Sequence, residues 1–321
     1  METRRKLLSI VVAAYNEVDN VEVLYREVTR VMDQLADQYD HELVVVDDHS
    51  TDGTFQKLEH LAREDARIRV FRLSRNFGFQ AAIYTAYGKA RGDAAIQLDA
   101  DLQDPPALII DFVRNWEKGF DVVYGVRRSR QEGWLITKLR HLGYRMINAL
   151  SEDELPVDTG DCRLVDRRIL DELVRIEDSR PYLRGTIAAL GFNQIGVPYD
   201  RAARERGESK FPLSRLVQMG FDGILNHSII PLRISTYVGL AVSLLTVFGS
   251  IVYVIGRLGF GKTWPAGFAT TTVLLLLSLS LNALFLGIIG EYLGRIYHTV
   301  RRRPLAVIER EISNDTRLLK S

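Results

Sequence analysis

Cysteine is nearly absent from this sequence: Cys162 is the single one among 321 residues. One thiol cannot form an internal disulfide, so we expect a fold without disulfides, as in proteins of reducing compartments. Net charge is also missing, because 42 basic residues are balanced by 41 acidic ones to give a formal charge of +1. This balance gives no support to a partner selected by overall charge, nucleic acid included.

Charged residues are missing altogether from two long apolar stretches, residues 234–255 and 268–290. An α-helix of about 20 apolar residues can cross a hydrocarbon layer about 30 Å thick, and each stretch exceeds that length. A short connection joins them. We therefore predict a transmembrane hairpin at residues 233–295, with spans at about 234–257 and 266–290.

The segments beside the hairpin carry signals for the membrane surface and for orientation. Residues 212–232 place apolar side chains on one helical face, which predicts an amphipathic helix on the membrane surface; these are Leu213, Leu216, Val217, Phe221, Ile224 and Leu225. Because positively charged loops face the cytoplasm, we expect both termini to be cytoplasmic, including a basic tail at 296–321. The arginines concerned are Arg215, Arg233, Arg295, Arg301, Arg302 and Arg303.

Residues 1–211 alternate short β-branched runs with amphipathic helical patterns. The runs predict buried strands at residues 7–12, 42–48, 68–73, 94–99 and 121–126, and residues 193–199 are also expected to be extended. Residues 79–92 have a helical pattern, and Gly92 would be the glycine that follows the helix. This alternation predicts an α/β domain with a mostly parallel sheet flanked by helices.

Polar clusters follow four of these strands, at the edge where parallel strands end. They read "YNE", "DDHSTDGT", "DADLQD" and "RRSR". Strands often end in polar turns, so one such cluster would mean little. Because ligands of open α/β sheets bind at this edge, four clusters rich in carboxylates, amides and arginines favour one shared site.

Two carboxylates, Asp99 and Asp101, follow the fourth strand, with Gln103 next in phase. Alternate side chains of extended backbone point the same way, so the three would face one point. Mg²⁺ or Mn²⁺ prefers such oxygen ligands and completes its shell with substrate phosphates. We therefore predict a divalent metal site that stabilises a diphosphate leaving group. Asp104 would instead cap the helix begun by the two following prolines.

A second pair of carboxylates, Asp47 and Asp48, follows the second strand. A carboxylate there can accept hydrogen bonds from a nucleobase N–H or from ribose hydroxyls. Ser50 and Asp52 are equally suited to capping the next helix, and Asn16 has the same local alternative after the first strand.

Seven motifs together resemble one family: "AAYNEVDN", "VVVDDHSTDGT", "LSRNFGFQAA", "DADLQDPP", "VYGVR", "DTGDCRL" and "RERGESKF". The set looks like a family 2 glycosyltransferase of the GT-A fold. More narrowly it resembles the polyprenyl-phosphate glycosyltransferases, which include dolichyl-phosphate mannose synthase and bacterial undecaprenyl-phosphate glucosyltransferases. The resemblance covers about residues 7–211, with the motifs in family order.

The resemblance implies roles for the matching positions. The metal would be held by Asp99, Asp101 and Gln103. The nucleotide sugar would contact Ala13, Tyr15, Glu17, Asp47, Asp48, Asn76, Gln80, Asp99, Ala100, Asp101 and Arg127. The acceptor phosphate would meet a loop containing Arg204, Ser209 and Lys210. The catalytic group would comprise Asp158, Asp101, Arg204 and Lys210, with Asp158 near the anomeric carbon as a base or as a positioning group.

Three positions depart from the family pattern. Ala13 replaces a usual proline, His49 a glycine and Cys162 an aromatic residue. None removes a needed functional group, but His49 leaves the turn geometry open.

The activity implied is inverting transfer of a sugar, with glucose from UDP-glucose favoured, to an undecaprenyl-type phosphate. The reaction would need Mg²⁺ or Mn²⁺ and would take place at the cytoplasmic face of the inner (plasma) membrane. Its product would be a lipid-linked sugar donor for cell-envelope glycosylation. A GDP-mannose-dependent mannosyltransferase, a polysaccharide synthase and a non-catalytic nucleotide-sugar sensor are the alternatives. The resemblance also implies a homo-oligomer, for example a tetramer, to which the glycine spacing of Gly290 and Gly294 could contribute.

Overall fold

The computed structural model describes residues 5–128, 159–176, 183–200, 230–260, 267–301 and 304–314. Within these ranges, residues 5–200 and 304–314 belong to one compact unit, and residues 230–301 belong to a second. The predicted site lies in the first unit.

The first unit alternates strands and helices, as predicted. Its elements are β1 (Lys6–Ala14), α1 (Val21–Asp33), β2 (Tyr39–Asp47), α2 (Thr54–Glu64), β3 (Ile68–Leu73), α3 (Phe79–Lys89), β4 (Ala94–Asp99), α4 (Leu108–Glu117), β5 (Val122–Arg127), β6 (Thr159–Asp166), α5 (Arg167–Arg175), α6 (Leu183–Ala189), β7 (Gln194–Tyr199) and, after the second unit, β8 (Ile308–Ser313).

The strands form one sheet in the order β7-β5-β6-β4-β1-β2-β3-β8. Strands β4, β1, β2 and β3 pair in parallel, and β5 pairs in parallel with β7. Only β6 and β8, among the strands described, run against their neighbours. The predicted α/β architecture is therefore confirmed, and the carboxyl ends of six strands meet at one edge.

The sheet is buried on both faces because its central strands are apolar on both faces. In β1, Ile10 and Val12 belong to a core with α1, α2 and α4, whereas Val11 belongs to a second core with α3, α5 and α6. All three of these side chains have 0% exposure. Burying each aliphatic side chain contributes roughly 1.5–3 kcal/mol, which holds the strand ends in fixed positions.

Two strands were absent from the sequence prediction. Strand β6 lies between β4 and β5, and β8 pairs with the edge strand β3. Residues 296–321, predicted as a basic tail, therefore include a strand of the first unit's sheet.

The assignment of Gly92 as the glycine that ends α3 is wrong. The helix ends at Lys89 with Ala90 as its C-cap, and Gly92 lies beyond it without a left-handed backbone. A Cβ on Gly92 would lie 2.7 Å from backbone atoms of Leu7, Ser9 and Ala94. This glycine therefore permits close backbone approach between the starts of β1 and β4.

The second unit contains two long helices, α7 (Ile230–Phe260) and α8 (Phe268–Val300). A Cβ on Gly239 would lie 3.6 Å from the ring of Phe285, so the two helices are in contact. Among the residues described, one window is long and apolar enough to cross a membrane: Leu277–Gly294, with mean hydropathy 1.4. The apolar stretch Ile234–Gly249 in α7 is shorter. The predicted two-span topology therefore stays a prediction, and most of the predicted surface helix at 212–232 lies outside the described residues.

Candidate active site

The predicted site residues that the structure describes lie at or just beyond the carboxyl ends of the parallel strands. Strand β1 lies in the middle, with Ala14 in register with Asp47 of β2 and Ala13 in register with Asp99 of β4. Neighbouring strands lie about 4.8 Å apart, so the ends of β2 and β4, which carry the two aspartates, are roughly 10 Å apart. This arrangement gives the edge two acidic positions, one on each side of the end of β1.

Asp47 is fully buried at the end of β2. Its carboxylate accepts hydrogen bonds from the backbone N–H of Ser50 at 3.3 Å, and the Nε atom of Arg72 lies 3.7 Å away. Burial raises the pKa of Asp47, and the Ser50 contacts and the charges of Arg72 and His49 limit that rise.

Asp48 holds a neighbouring loop rather than facing open space. Its two carboxylate oxygens accept hydrogen bonds from the backbone N–H groups of Phe77, at 2.7 Å, and Gly78, at 2.8 Å. Phe77 and Gly78 directly precede α3, and the N–H of Gly78, its N-cap, has no partner within the helix itself. Asp48 therefore fixes the loop that carries Asn76, a predicted nucleotide contact.

The side chain of Gln80, another predicted nucleotide contact, lies next to α6. Its Oε1 atom accepts a hydrogen bond of 3.4 Å from the backbone N–H of Leu183.

The turn after β1 is fixed by the turn after β2. Asn16 has a left-handed backbone, with φ of 56°. Its side-chain oxygen accepts from the backbone N–H of Thr51 at 2.9 Å, and its own N–H donates to Ser50 Oγ at 3.0 Å. Capping of α1 by Asn16 is therefore wrong, because the N-cap of α1 is Asn20. Beside this turn, Tyr15 is 47% exposed, so its ring is available to a ligand.

Local roles also account for Asp52 and for the backbone of Glu17. Asp52 Oδ1 accepts a 3.0 Å hydrogen bond from the N–H of Thr54, the first residue of α2. The N–H of Glu17 donates to the Thr54 hydroxyl at 2.8 Å, and the Glu17 carboxylate accepts from Asn20 at 2.5 Å.

The segment Asp99–Gln103 is a turn, not extended chain. Strand β4 ends at Asp99, and Leu102 has a left-handed backbone with φ of 58°. Alternation in extended backbone is therefore the wrong reason for grouping Asp99, Asp101 and Gln103. In the turn, Asp101 Oδ1 accepts a hydrogen bond of 3.2 Å from the N–H of Gln103.

The donor set of this turn fits a hard divalent cation. Two carboxylates and one amide offer only oxygen ligands to the metal, and Mg²⁺ or Mn²⁺ commonly binds one or two carboxylates together with substrate phosphates. Within the described ranges, no group of three or more histidine, cysteine, aspartate or glutamate side chains is arranged to hold a metal ion by itself.

Asp104 does not cap the next helix, so this prediction is wrong. Helix α4 has Ala107 as its N-cap and no side-chain cap. Asp104 is buried instead, and its Oδ1 accepts a hydrogen bond of 2.5 Å from the hydroxyl of Tyr199. Arg127, a predicted nucleotide-sugar contact, lies beside this pair, with its Nε atom 3.3 Å from the same hydroxyl.

Three residues at this edge were missed by sequence analysis: Tyr199, Asp161 and Arg184. Arg184 donates two hydrogen bonds of 2.7 and 2.6 Å to the carboxylate of Asp161. Burial alone would raise the pKa of Asp161, but the bonds from Arg184 bring it below its ordinary value. Asp161 stands in the motif "DTGDCRL", which was the available signal. Cys162 beside it is fully buried, and burial raises the pKa of its thiol.

Four predicted site residues, Asp158, Arg204, Ser209 and Lys210, lie outside the described residues. Thr159, which follows Asp158 in the chain, pairs with Val126 of β5.

Residues 9–174 match the family model described as Glycosyl transferase family 2. The chain belongs to this family. The prediction of a family 2 glycosyltransferase is therefore confirmed, and the mostly parallel sheet flanked by helices agrees with the predicted GT-A fold.

Relatives of this glycosyltransferase align along nearly its whole length. An uncharacterized glycosyltransferase of Bacillus subtilis (strain 168), YkcC, is 36% identical over 312 residues, covering 97% of this chain and 96% of that protein. The SfII prophage-derived bactoprenol glucosyl transferase of Shigella flexneri is 31% identical and covers 94% of this chain and 97% of its own. The undecaprenyl-phosphate 4-deoxy-4-formamido-L-arabinose transferase of Proteus mirabilis (strain HI4320) is 32% identical and covers 97% and 96%.

Proposed function

We propose that this glycosyltransferase moves a sugar from a nucleotide diphosphate sugar to a polyprenyl phosphate, with inversion at the anomeric carbon. The observation that carries the proposal is the placement of Asp47 and Asp99 on either side of the end of β1. In this proposal Asp47 contacts the nucleoside of the donor, and Asp99, on the other side of β1, serves its diphosphate. The names of the Shigella and Proteus relatives, which specify bactoprenol and undecaprenyl phosphate, support the lipid acceptor.

The leaving diphosphate would be stabilised at the turn after β4. A bound Mg²⁺ or Mn²⁺ supplies Lewis-acid stabilisation of a departing phosphate group. Asp99, Asp101 and the side-chain oxygen of Gln103 would hold the ion. Arg127 places a guanidinium at the end of β5, and its side chain is only 12% exposed, so its charge is little screened by water.

The acceptor needs little help from a base. The second pKa of a phosphate monoester is about 6, so the lipid phosphate is largely ionised at pH 7. We assign Asp158 to the neighbourhood of the anomeric carbon, as base or positioning group. Arg204, Ser209 and Lys210 would hold the lipid phosphate in line with the leaving group, since such positioning supplies much of the rate enhancement.

A membrane location follows from the acceptor. A polyprenyl phosphate stays in the bilayer, so the sheet edge must remain close to the membrane surface. Helices α7 and α8 would provide this anchor as a hairpin, with the surface helix at 212–232 beside it. The arginines beside the apolar stretches favour a cytoplasmic catalytic domain. Assembly into a homo-oligomer belongs to the same proposal.

The donor we favour is UDP-glucose, with GDP-mannose as the alternative. The names of the Shigella and Proteus relatives specify transfer of two different sugars, glucose and a formamido-arabinose, so the sugar has to be measured. The full chain in detergent would be given labelled nucleotide sugars, a polyprenyl phosphate and Mg²⁺ or Mn²⁺, followed by extraction into organic solvent. We expect label in the lipid phase with UDP-glucose. Label with GDP-mannose alone would select the mannosyltransferase, and no label with any donor would refute lipid glycosylation.

Donor binding should weaken in acid because of Asp47. Its anion would accept hydrogen bonds from the nucleoside, and burial raises its pKa above 3.8. The anionic fraction falls as the pH drops through that raised pKa, so the donor KM should rise as the pH falls from 7 towards it. Arg72→Met removes a cation 3.7 Å from the carboxylate and should move this change to higher pH. Steady-state KM measurements across pH test this, and Asp47→Asn should give a flatter profile; an identical acid limb in Asp47→Asn would contradict the assignment.

A further inference from the structure

We infer that Tyr199 is a positioning residue of the active site, whose hydroxyl links the metal-binding turn to Arg127 and so fixes the diphosphate end. The inference rests on the proposed function for the identity of the bound metal and diphosphate. Tyr199 is the last residue of β7, and two strands, β5 and β6, lie between β7 and β4 in the sheet. Its side chain therefore reaches the turn from a different part of the sheet.

The hydroxyl of Tyr199 lies between the carboxylate of Asp104 and the guanidinium of Arg127. It donates to Asp104 Oδ1 at 2.5 Å and accepts from Arg127 Nε at 3.3 Å. An Arg127 terminal nitrogen lies 3.9 Å from the other carboxylate oxygen of Asp104. Tyr199 is 5% exposed and Asp104 1%, so water competes little for these hydrogen bonds.

Two glycines make room for this tyrosine. A Cβ on Gly125 of β5 would lie 2.7 Å from Tyr199 Cε1, and a Cβ on Gly160 of β6 would lie 3.0 Å from its hydroxyl oxygen. Any larger residue at either position would displace the ring or the hydroxyl. The glycines of "VYGVR" and "DTGDCRL" therefore have a physical reason, and three site motifs meet at one side chain.

Only a very short stretch of chain separates this link from the proposed metal ligands. Asp104 directly follows Gln103 and is three residues from Asp101. Removing the Tyr199 hydroxyl takes a short hydrogen bond from a buried carboxylate, which then favours a new position. The turn would move with it. Outer partners that orient metal ligands typically change metal affinity or activity by about 10- to 100-fold when they are removed.

The chain provides a matched control in Tyr39. This tyrosine is 6% exposed, and its hydroxyl donates to Glu117 Oε1 at 2.7 Å. Burial raises the pKa of both tyrosines, so both hydroxyls are protonated donors at neutral pH. Tyr39 is the first residue of β2 and thus lies at the opposite edge of the sheet.

The experiment compares Tyr199→Phe with Tyr39→Phe in the full chain. Three quantities are measured: the thermal midpoint, the affinity for Mn²⁺ in the presence of a nucleoside diphosphate, and kcat with KM for the donor. Both variants should lower the midpoint by similar amounts. We expect only Tyr199→Phe to weaken Mn²⁺ binding and to lower kcat, each by about tenfold or more, while Tyr39→Phe stays within about twofold of wild type.

The Mn²⁺ measurement separates this inference from the proposed function. If no donor gives lipid product but Tyr199→Phe still weakens Mn²⁺ binding, the proposed acceptor fails and the positioning role stands. If Tyr199→Phe binds Mn²⁺ as wild type does, the positioning role is overturned, whatever the acceptor. Should Tyr199→Phe not fold, Gly160→Ala displaces the hydroxyl with the ring intact, and unchanged Mn²⁺ affinity in that variant overturns the inference equally.

Discussion

Asp101→Asn should lower sugar transfer by about a hundredfold or more and leave the fold intact. Metal stabilisation of a departing phosphate is worth several kcal/mol, and each 1.36 kcal/mol is a factor of ten in rate. An amide keeps the size of the carboxylate and one oxygen but removes the charge that attracts the cation. The backbone bond from Gln103 N–H to Asp101 Oδ1, 3.2 Å long, can still form to the amide oxygen, so folding should be preserved.

Asp111→Asn is the control for this variant. Asp111 lies on α4, its side chain is 53% exposed, and its nearest ion-pair partner is Arg114 on the same helix at 3.6 Å. Asp111→Asn removes one negative charge from the same domain without altering the turn after β4. Turnover, Mn²⁺ affinity and the thermal midpoint would be measured for both proteins. Equal lipid product from Asp101→Asn and wild type would refute the metal site.

The parallel core of the sheet was predictable because its strands carry a continuous apolar signal. Strands β1 to β4 are covered on both faces, and their residues are apolar on both faces as a result. The ends of four of the predicted strands were equally predictable, since a polar cluster follows each of the four runs. The sequence pattern therefore predicts the edge of the sheet at which the structure places Asp47 and Asp99.

Strands β6 and β8 lack that signal. Strand β6 includes a buried Arg163, whose guanidinium donates to the backbone oxygens of Gly160 and Asp161. Strand β8 reads "IEREIS" at the sheet edge, where charged residues are common because they oppose pairing with a further strand. Its pairing with β3 joins residues more than 200 positions apart, and local periodicity carries no information at that distance.

The role of Asp104 shows the same limit at the level of one side chain. An acidic residue before two prolines matches a helix start, so local pattern favoured a cap. In the structure the Oδ1 atom of Asp104 accepts a hydrogen bond from the hydroxyl of Tyr199, which is 95 positions away in the sequence. The sequence pattern identified the polar turn correctly, but it could not indicate which polar side chain, distant in the sequence, would form a hydrogen bond with Asp104.

Gly92→Ala should produce the largest loss of stability among single methyl additions to the sheet. The added Cβ would lie 2.7 Å from Leu7 O, Ser9 N and Ala94 O, and all three are backbone atoms that cannot rotate away. Gly92 is buried, and its N–H donates to Ser9 Oγ at 2.8 Å. Strands β1 and β4 must separate there, which strains their pairing and weakens that hydrogen bond. Overpacking of this kind costs about 3 kcal/mol.

Gly88→Ala is the matched comparison, because the same methyl group is added four residues earlier, within α3. Its Cβ would meet only the side chain of Val174, at 3.9 Å, which is ordinary contact, and alanine favours the helix by about 0.5–1 kcal/mol. Thermal unfolding followed by circular dichroism should show a midpoint roughly 6–12 °C lower for Gly92→Ala and an unchanged or higher midpoint for Gly88→Ala. Since Gly92 lies at the edge opposite the metal turn, the Mn²⁺ affinity of folded Gly92→Ala should remain within about twofold of wild type. Equal midpoints for the two variants would show that β1 and β4 tolerate a side chain between them, and that close backbone approach is not why this position is glycine.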